Sequence, residues 1–284
     1  MTPLPQAFRN RIVNADALSF LKQLPDECVY CIVTSPPYYG LRDYSSAGQI
    51  GAETSVPLYV ESLRVIFDEA RRVLRNDGTL WLNLGDSHDS NKNLLLVPAQ
   101  VALALKADGW ILRMDNVWHK TNPRPESVKD RPSKVHEYVY LFSKQKHYFY
   151  DQDAVRVPLK EVSIARAKRG VSGKNKLARG APGQSTNSIH EEKEQQGGLN
   201  YKGANRRSVW ATSTDQFSGA HFATFPPALI EVPIKAGCPR GETVLDPFMG
   251  AGTTALVARR LGRAYTGSEI NPAYWALANK RIGE

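Results

Sequence analysis

Residues 242–282 read "ETVLDPFMGAGTTALVARRLGRAYTGSEINPAYWALANKRI". An apolar run over 243–245 ends at Asp246, Gly250 and Gly252 follow, and Thr253-Thr254 open a helical stretch. This is a strand, a glycine loop and a helix. "AYTGSE" (264–269) is a further strand ending in Glu269, with a last helix behind it. A plain strand-to-helix turn needs only one glycine; two let a ligand approach the backbone closely. A P-loop is excluded, because Gly-Lys-Ser/Thr is required and Gly252 is followed by Thr253-Thr254. A dinucleotide fingerprint needs a third glycine where this chain has Ala255, a residue its looser form tolerates. A carboxylate about 20 residues further on accepts hydrogen bonds from ribose hydroxyls, and Glu269 stands there. The pattern points to a ribosyl cofactor, with adenosine common to the readings still open.

Upstream, strands and helices alternate. "RIVNADALSFLKQLPDECVYCIVT" (11–34) reads strand, short helix, strand, with Asp16 placed to cap the helix. Apolar residues at 58, 59, 63, 66, 67, 70, 73 and 74 form a helical stripe opened by Pro57. "NDGTLWLNLGDS" (76–87) is a turn and a strand, "LLLVPAQVALALKADGW" (94–110) a helix, and "ILRMDNVWHK" (111–120) a strand. "HEYVYLFSK" (136–144) is another strand, which "KHYFYD" is expected to extend as a hairpin. A helix is expected after Pro226-Pro227. Such alternation implies an α/β domain with a doubly wound, mostly parallel sheet.

The strand "VYCIVT" (29–34) stops at "SPPYY" (35–39), since two prolines cannot donate to a ladder. Asp86 ends the neighbouring strand on the same sheet edge if the two run parallel, where it would line a pocket or cap a helix.

The chain of 284 residues has 37 Lys and Arg against 28 Asp and Glu, net +9, and pI near 9.4. Residues 155–208 hold twelve of those cations and only four acids. Within this stretch, residues 160–208 are rich in Gly and Ser and poor in large apolar residues, so they can bury little and are expected to be irregular. Its charge suits a polyanion. Cys28 and Cys31 have a C-x-x-C spacing, but Cys31 lies in a predicted buried strand and no second pair accompanies them. The six histidines are scattered, so no metal site is expected. Sparse cysteines and the lack of a long apolar stretch fit a cytoplasmic protein that does not meet a membrane.

Together, "TSPPY" and "DPFMGAGTT" resemble the amino-methylating DNA methyltransferases that use S-adenosylmethionine. With S-P-P-Y N-terminal, a basic variable stretch central and the glycine loop C-terminal, the order is that of the family's beta class. The likeness covers 10–150 and 209–284; Asn14-Ala15-Asp16 stands where the family has Gly-Asp. "AHFATFPPALIEVPI" resembles the segment before the cofactor loop.

The resemblance implies catalytic roles for Ser35, Pro36, Pro37 and Tyr38. It implies cofactor contacts from Asp16, His221, Phe225, Asp246, Pro247, Phe248, Gly250, Gly252, Thr253 and Glu269. Double-stranded DNA would meet Trp118, His119 and Lys120, and in the basic stretch Arg166, Lys168, Arg169, Lys174, Lys176, Arg179, Arg206 and Arg207. It divides the chain into a catalytic part (1–154), a target-recognition insertion (155–208) and a cofactor-binding part (209–284). A serine at the first motif position goes mainly with cytosine N4 and an aspartate mainly with adenine N6, so Ser35 favours cytosine. Cytosine-C5 chemistry is disfavoured because the chain has no Pro-Cys. A dimer partner and a cognate restriction endonuclease are implied as companions. The rivals are an adenine-N6 enzyme, a non-catalytic DNA-binding protein with a degenerate cofactor site, and a nicotinamide dehydrogenase, which leaves "SPPYY" unexplained.

Overall fold

A computed structural model describes residues 2–41, 48–162, 164, 203–214 and 225–283. Met1–Asp151 with Arg207–Glu284 form one compact unit, and Gln152–Arg206 form another. The first is built on eight strands: β1 (Arg11–Asn14), β2 (Val29–Thr34), β3 (Leu74–Leu84), β4 (Ile111–Lys120), β5 (His136–Ser143), β6 (Val209–Thr212), β7 (Thr243–Asp246) and β8 (Ala264–Glu269). Their order is β1-β8-β7-β2-β3-β5-β4-β6. The pairs involving β5 are antiparallel and the others parallel.

The helices are α1 (Ala17–Leu21), α2 (Val56–Val73), α3 (Val97–Ala107), α4 (Pro227–Gly237), α5 (Thr253–Arg260) and α6 (Pro272–Gly283). The strands' two-residue period separates the faces. Ile32, Leu80, Leu82 and Leu84 join Phe20, Tyr59, Leu63 and Phe67 in the main core under α1–α3. The alternating Cys31, Thr79 and Trp81 face α4, which comes so near that a Cβ on Gly237 would collide with Thr79 Oγ1. Cys28 and Cys31 are buried, unpaired thiols; burial raises the first to about 11 and the second to about 12, so neither is a thiolate at neutral pH.

"KHYFYD" does not prolong β5. Backbone N–H groups of Phe149 and Asp151 instead bond the carbonyls of Asp77 and Ala236. Phe149 and Tyr150 pack on Tyr30 and Trp81, so aromatic ring contacts override the hairpin pattern. Strand β6 was not expected; Trp210 secures it against Trp81. In the second unit, Arg156 bonds Asp153, the Gly203 carbonyl and Asn205. Among the described residues no helix is long and apolar enough to cross a membrane, and no His, Cys, Asp or Glu group could hold a metal ion.

Candidate active site

The parallel strands bring the carboxyl ends of β1, β8, β7, β2 and β3 to one edge, where α/β sheets bind ligands. The antiparallel register sets the start of β5 and the end of β4 at the same edge. A cleft of about 1460 Å³ opens there, lined at one part by Ser35, Pro36, Pro37 and Tyr38 and at another by Asp16, Gly250 and Glu269.

Glu269 ends β8 and is anchored by backbone N–H groups: Gly250 donates to Oε2 and Asn271 to Oε1, each at 2.8 Å. Burial raises its pKa above the ordinary carboxylate value. A carboxylate has about four lone-pair sites, so acceptor capacity remains beside these anchors for a hydroxyl donor. Gly250 has φ +55°, and a Cβ placed on it would meet nothing nearer than the Phe248 carbonyl at 4.0 Å. The loop therefore leaves room against its own backbone. Gly252, with φ +79°, precedes α5 and lies against Ala278, away from the cleft. Pro247, Phe248, Thr253 and Phe225 line the cleft, and Asp16 lines it while accepting the Ser19 N–H as cap of α1. His221 lies outside the described residues.

Asp246 differs from its expected place. It is fully buried and does not line the cleft. Its carboxylate accepts Thr34 Oγ1 and Thr254 Oγ1, each at 2.6 Å, and the Phe248 N–H at 3.0 Å. It ties the end of β2, immediately before Ser35, to the glycine loop and α5. Burial raises its pKa to about 6.

The Ser35–Tyr38 turn is held from several sides. Tyr59 donates to the Pro37 carbonyl at 2.8 Å. Ser35 Oγ donates to the Tyr38 hydroxyl at 3.3 Å, and Tyr38 donates to Glu137 Oε2 at 2.6 Å. The ring lies so close to Gly85 that a Cβ there would be 2.7 Å from it. Asp86 both lines the cleft and caps a helix: Oδ1 accepts the Val97 N–H at the start of α3 at 3.0 Å.

Trp118 and Lys120 line the cleft, whereas His119 points out of it and is exposed. Trp118 is buried and donates to the Thr212 carbonyl. Lys120 pairs with Glu137 and lies 4.8 Å over the Trp118 ring. Arg206 donates to the Val155 carbonyl in the second unit, and Arg207 is exposed. Arg166, Lys168, Arg169, Lys174, Lys176 and Arg179 lie outside the described residues. Sequence reasoning missed Asn83, Glu137, Lys134, Ile270 and Tyr274, all in the cleft wall. Glu137 is the lone acid of "HEYVYLFSK", and nothing local in the sequence marks it as buried.

A family described as DNA methylase matches residues 29–280. The chain is 40% identical to the type II methyltransferase M.XycI of Xanthomonas campestris pv. cyanopsidis, over 99% of this chain and 91% of that protein. The solved PvuII DNA methyltransferase (cytosine-N4-specific) superposes with TM-score 0.71 at 20% identity, over 96% of this chain and 86% of that one. The M1.HpyAVI–SAM complex gives TM-score 0.58 at 19% identity, over 96% and 99% of the two chains. These likenesses carry the fold: the sheet is that of the S-adenosylmethionine-dependent methyltransferases.

Proposed function

The chain belongs to the DNA methylase family that modifies exocyclic amines, and we propose that it transfers a methyl group from S-adenosylmethionine to cytosine N4 in duplex DNA. The observation that carries this reading is the single cleft lined by both the Ser35–Tyr38 turn and the Gly250–Glu269 corner. Ser35 at the first motif position supports cytosine over adenine, as does the likeness to a cytosine-N4-specific enzyme.

The residues present fit the cofactor. The open backbone at Gly250 leaves space for it, and the acceptor capacity left on Glu269 suits a ribose hydroxyl. Asp16, Phe225, Pro247, Phe248 and Thr253 complete that side. Asp246 would act through its bonds to Thr34 and Thr254, by fixing the loop. When bound, S-adenosylmethionine supplies an electrophilic methyl group on a sulfonium.

The amine of cytosine is a weak nucleophile because its lone pair is delocalised into the ring. Ser35 Oγ and the Pro36 carbonyl accept its hydrogens and favour the pyramidal nitrogen that develops during transfer. The prolines fix φ and hold the turn rigid. The Tyr38 ring offers a face to a base swung out of the duplex. Trp118 and Lys120 border that base, and the cations of 155–208 neutralise phosphates and read base edges. A type II relative suggests a restriction partner for the same DNA site, and a pairing of two copies fits the class. The reaction would take place in the cytoplasm.

Labelled S-adenosylmethionine and duplex DNA, followed by nucleoside analysis, test the proposal. N4-methylcytosine is expected. N6-methyladenine alone would overturn the base assignment, and no transfer to a wide set of duplexes would favour a non-catalytic DNA-binding protein.

A further inference from the structure

A serine hydroxyl can present either its hydrogen or its lone pairs to a neighbour. For a target amine, whose hydrogens must be accepted, only the second orientation helps. The bonds around Tyr38 select it. Glu137 has 8% of its surface exposed and accepts the Tyr38 hydroxyl at 2.6 Å. Asn83 Nδ2 is committed to Glu137 Oε2 at 3.1 Å and to the Tyr138 carbonyl at 3.0 Å. Its oxygen therefore faces Tyr38, at 3.3 Å. Both neighbours are acceptors, so the single phenol hydrogen must point to them. Burial, and then Glu137, hold the Tyr38 pKa well above its ordinary value, so the phenol keeps that hydrogen at neutral pH. The Tyr38 oxygen is left to accept from Ser35, 3.3 Å away. Ser35 spends its only hydrogen there, and what remains on its oxygen is lone pairs.

We propose that Glu137 is a positioning residue that sets the direction of the Ser35–Tyr38–Glu137 hydrogen-bond chain, so that Ser35 meets the target amine purely as an acceptor. The inference rests on the amine-methylating function proposed above. Lys120 neutralises the far oxygen of Glu137, and the antiparallel register of β4 and β5 brings the two together. With its charge balanced and its oxygens occupied, the carboxylate is tolerated at this depth. No proton leaves the chain in this role.

The test measures methyl transfer to duplex DNA, calorimetric affinity for S-adenosylhomocysteine and thermal melting for wild type, Glu137→Gln, Tyr38→Phe and the double variant. Gln brings an N–H donor to the chain; Phe keeps the ring face and removes the hydroxyl. Each single change should lower kcat about 100-fold while the affinity stays within about twofold. The double variant should be no slower than the singles, because both break the same chain. Losses that multiply in the double variant would overturn the inference. So would wild-type kcat in Tyr38→Phe, which decides the matter even if Glu137→Gln does not fold. A wild type that methylates no duplex removes the parent reading and this inference with it; an active wild type with unimpaired variants removes the inference alone.

Discussion

Replacing Asp246 by Asn makes a quantitative test of the junction between the two motifs. Asn can keep its carbonyl on the Phe248 N–H and Thr34 and donate its amide to Thr254, whose hydroxyl can turn to the Val33 carbonyl at 3.4 Å. The shape and the bonds survive; the charge goes. In the wild type, burial raises the carboxyl from 3.8 to about 6. At 1.36 kcal/mol per unit, keeping it ionised costs the folded state about 3 kcal/mol. An acid whose folded pKa is raised stabilises fully below its unfolded pKa and loses that contribution as pH rises through the folded value. The window here is therefore 3.8 to about 6. Urea unfolding should show the variant gaining about 2 kcal/mol on the wild type between about pH 4 and pH 7, most of the full difference. A difference that does not vary with pH would refute the reasoning. So would one in which the wild type gains as pH rises, since Asp246 would then not be a carboxylate strained by burial.

Ser35→Ala should lower kcat about 100-fold with little change in cofactor affinity, by single-turnover kinetics and calorimetry. Glu269→Ala should weaken S-adenosylhomocysteine binding by tenfold or more, about 1.4 kcal/mol, while DNA affinity measured by anisotropy holds. Gly250→Ala meets open space but must adopt φ +55°, so its melting should report a loss of about 1 kcal/mol. Asp86→Ala leaves the Val97 N–H without its acceptor and should cost about 1 kcal/mol in urea unfolding. Neutralising Lys and Arg in 155–208 should weaken DNA binding and flatten the slope of log affinity against log salt by about 0.9 for each phosphate left without its cation.

Much of the fold was legible because strong local patterns agreed with it. "VYCIVT" is an apolar, β-branched run, and the structure makes it a strand over the same residues, as it does the more polar "ILRMDNVWHK". Strand β6 escaped notice because "VWAT" has four residues and gains its burial from Trp81, distant in sequence. "KHYFYD" alternates like a strand, yet its aromatics are claimed by Tyr30 and Trp81. The site was legible at its two motifs. The Glu137–Asn83–Tyr38 cluster was not, because no local pattern announces side chains that meet only when β3, β5 and the Ser35 turn converge. Asp246 was visible as the end of a strand, but its burial depends on Thr34, 212 residues away.

A structure of the chain with S-adenosylhomocysteine and its target duplex tests the central claim most directly. The account predicts a cytosine swung into the cleft, its N4 against Ser35 and the Pro36 carbonyl, with the cofactor sulfur on the same side and the ribose at Glu269. A cofactor seated away from Gly250, or an adenine held at Ser35, would contradict it.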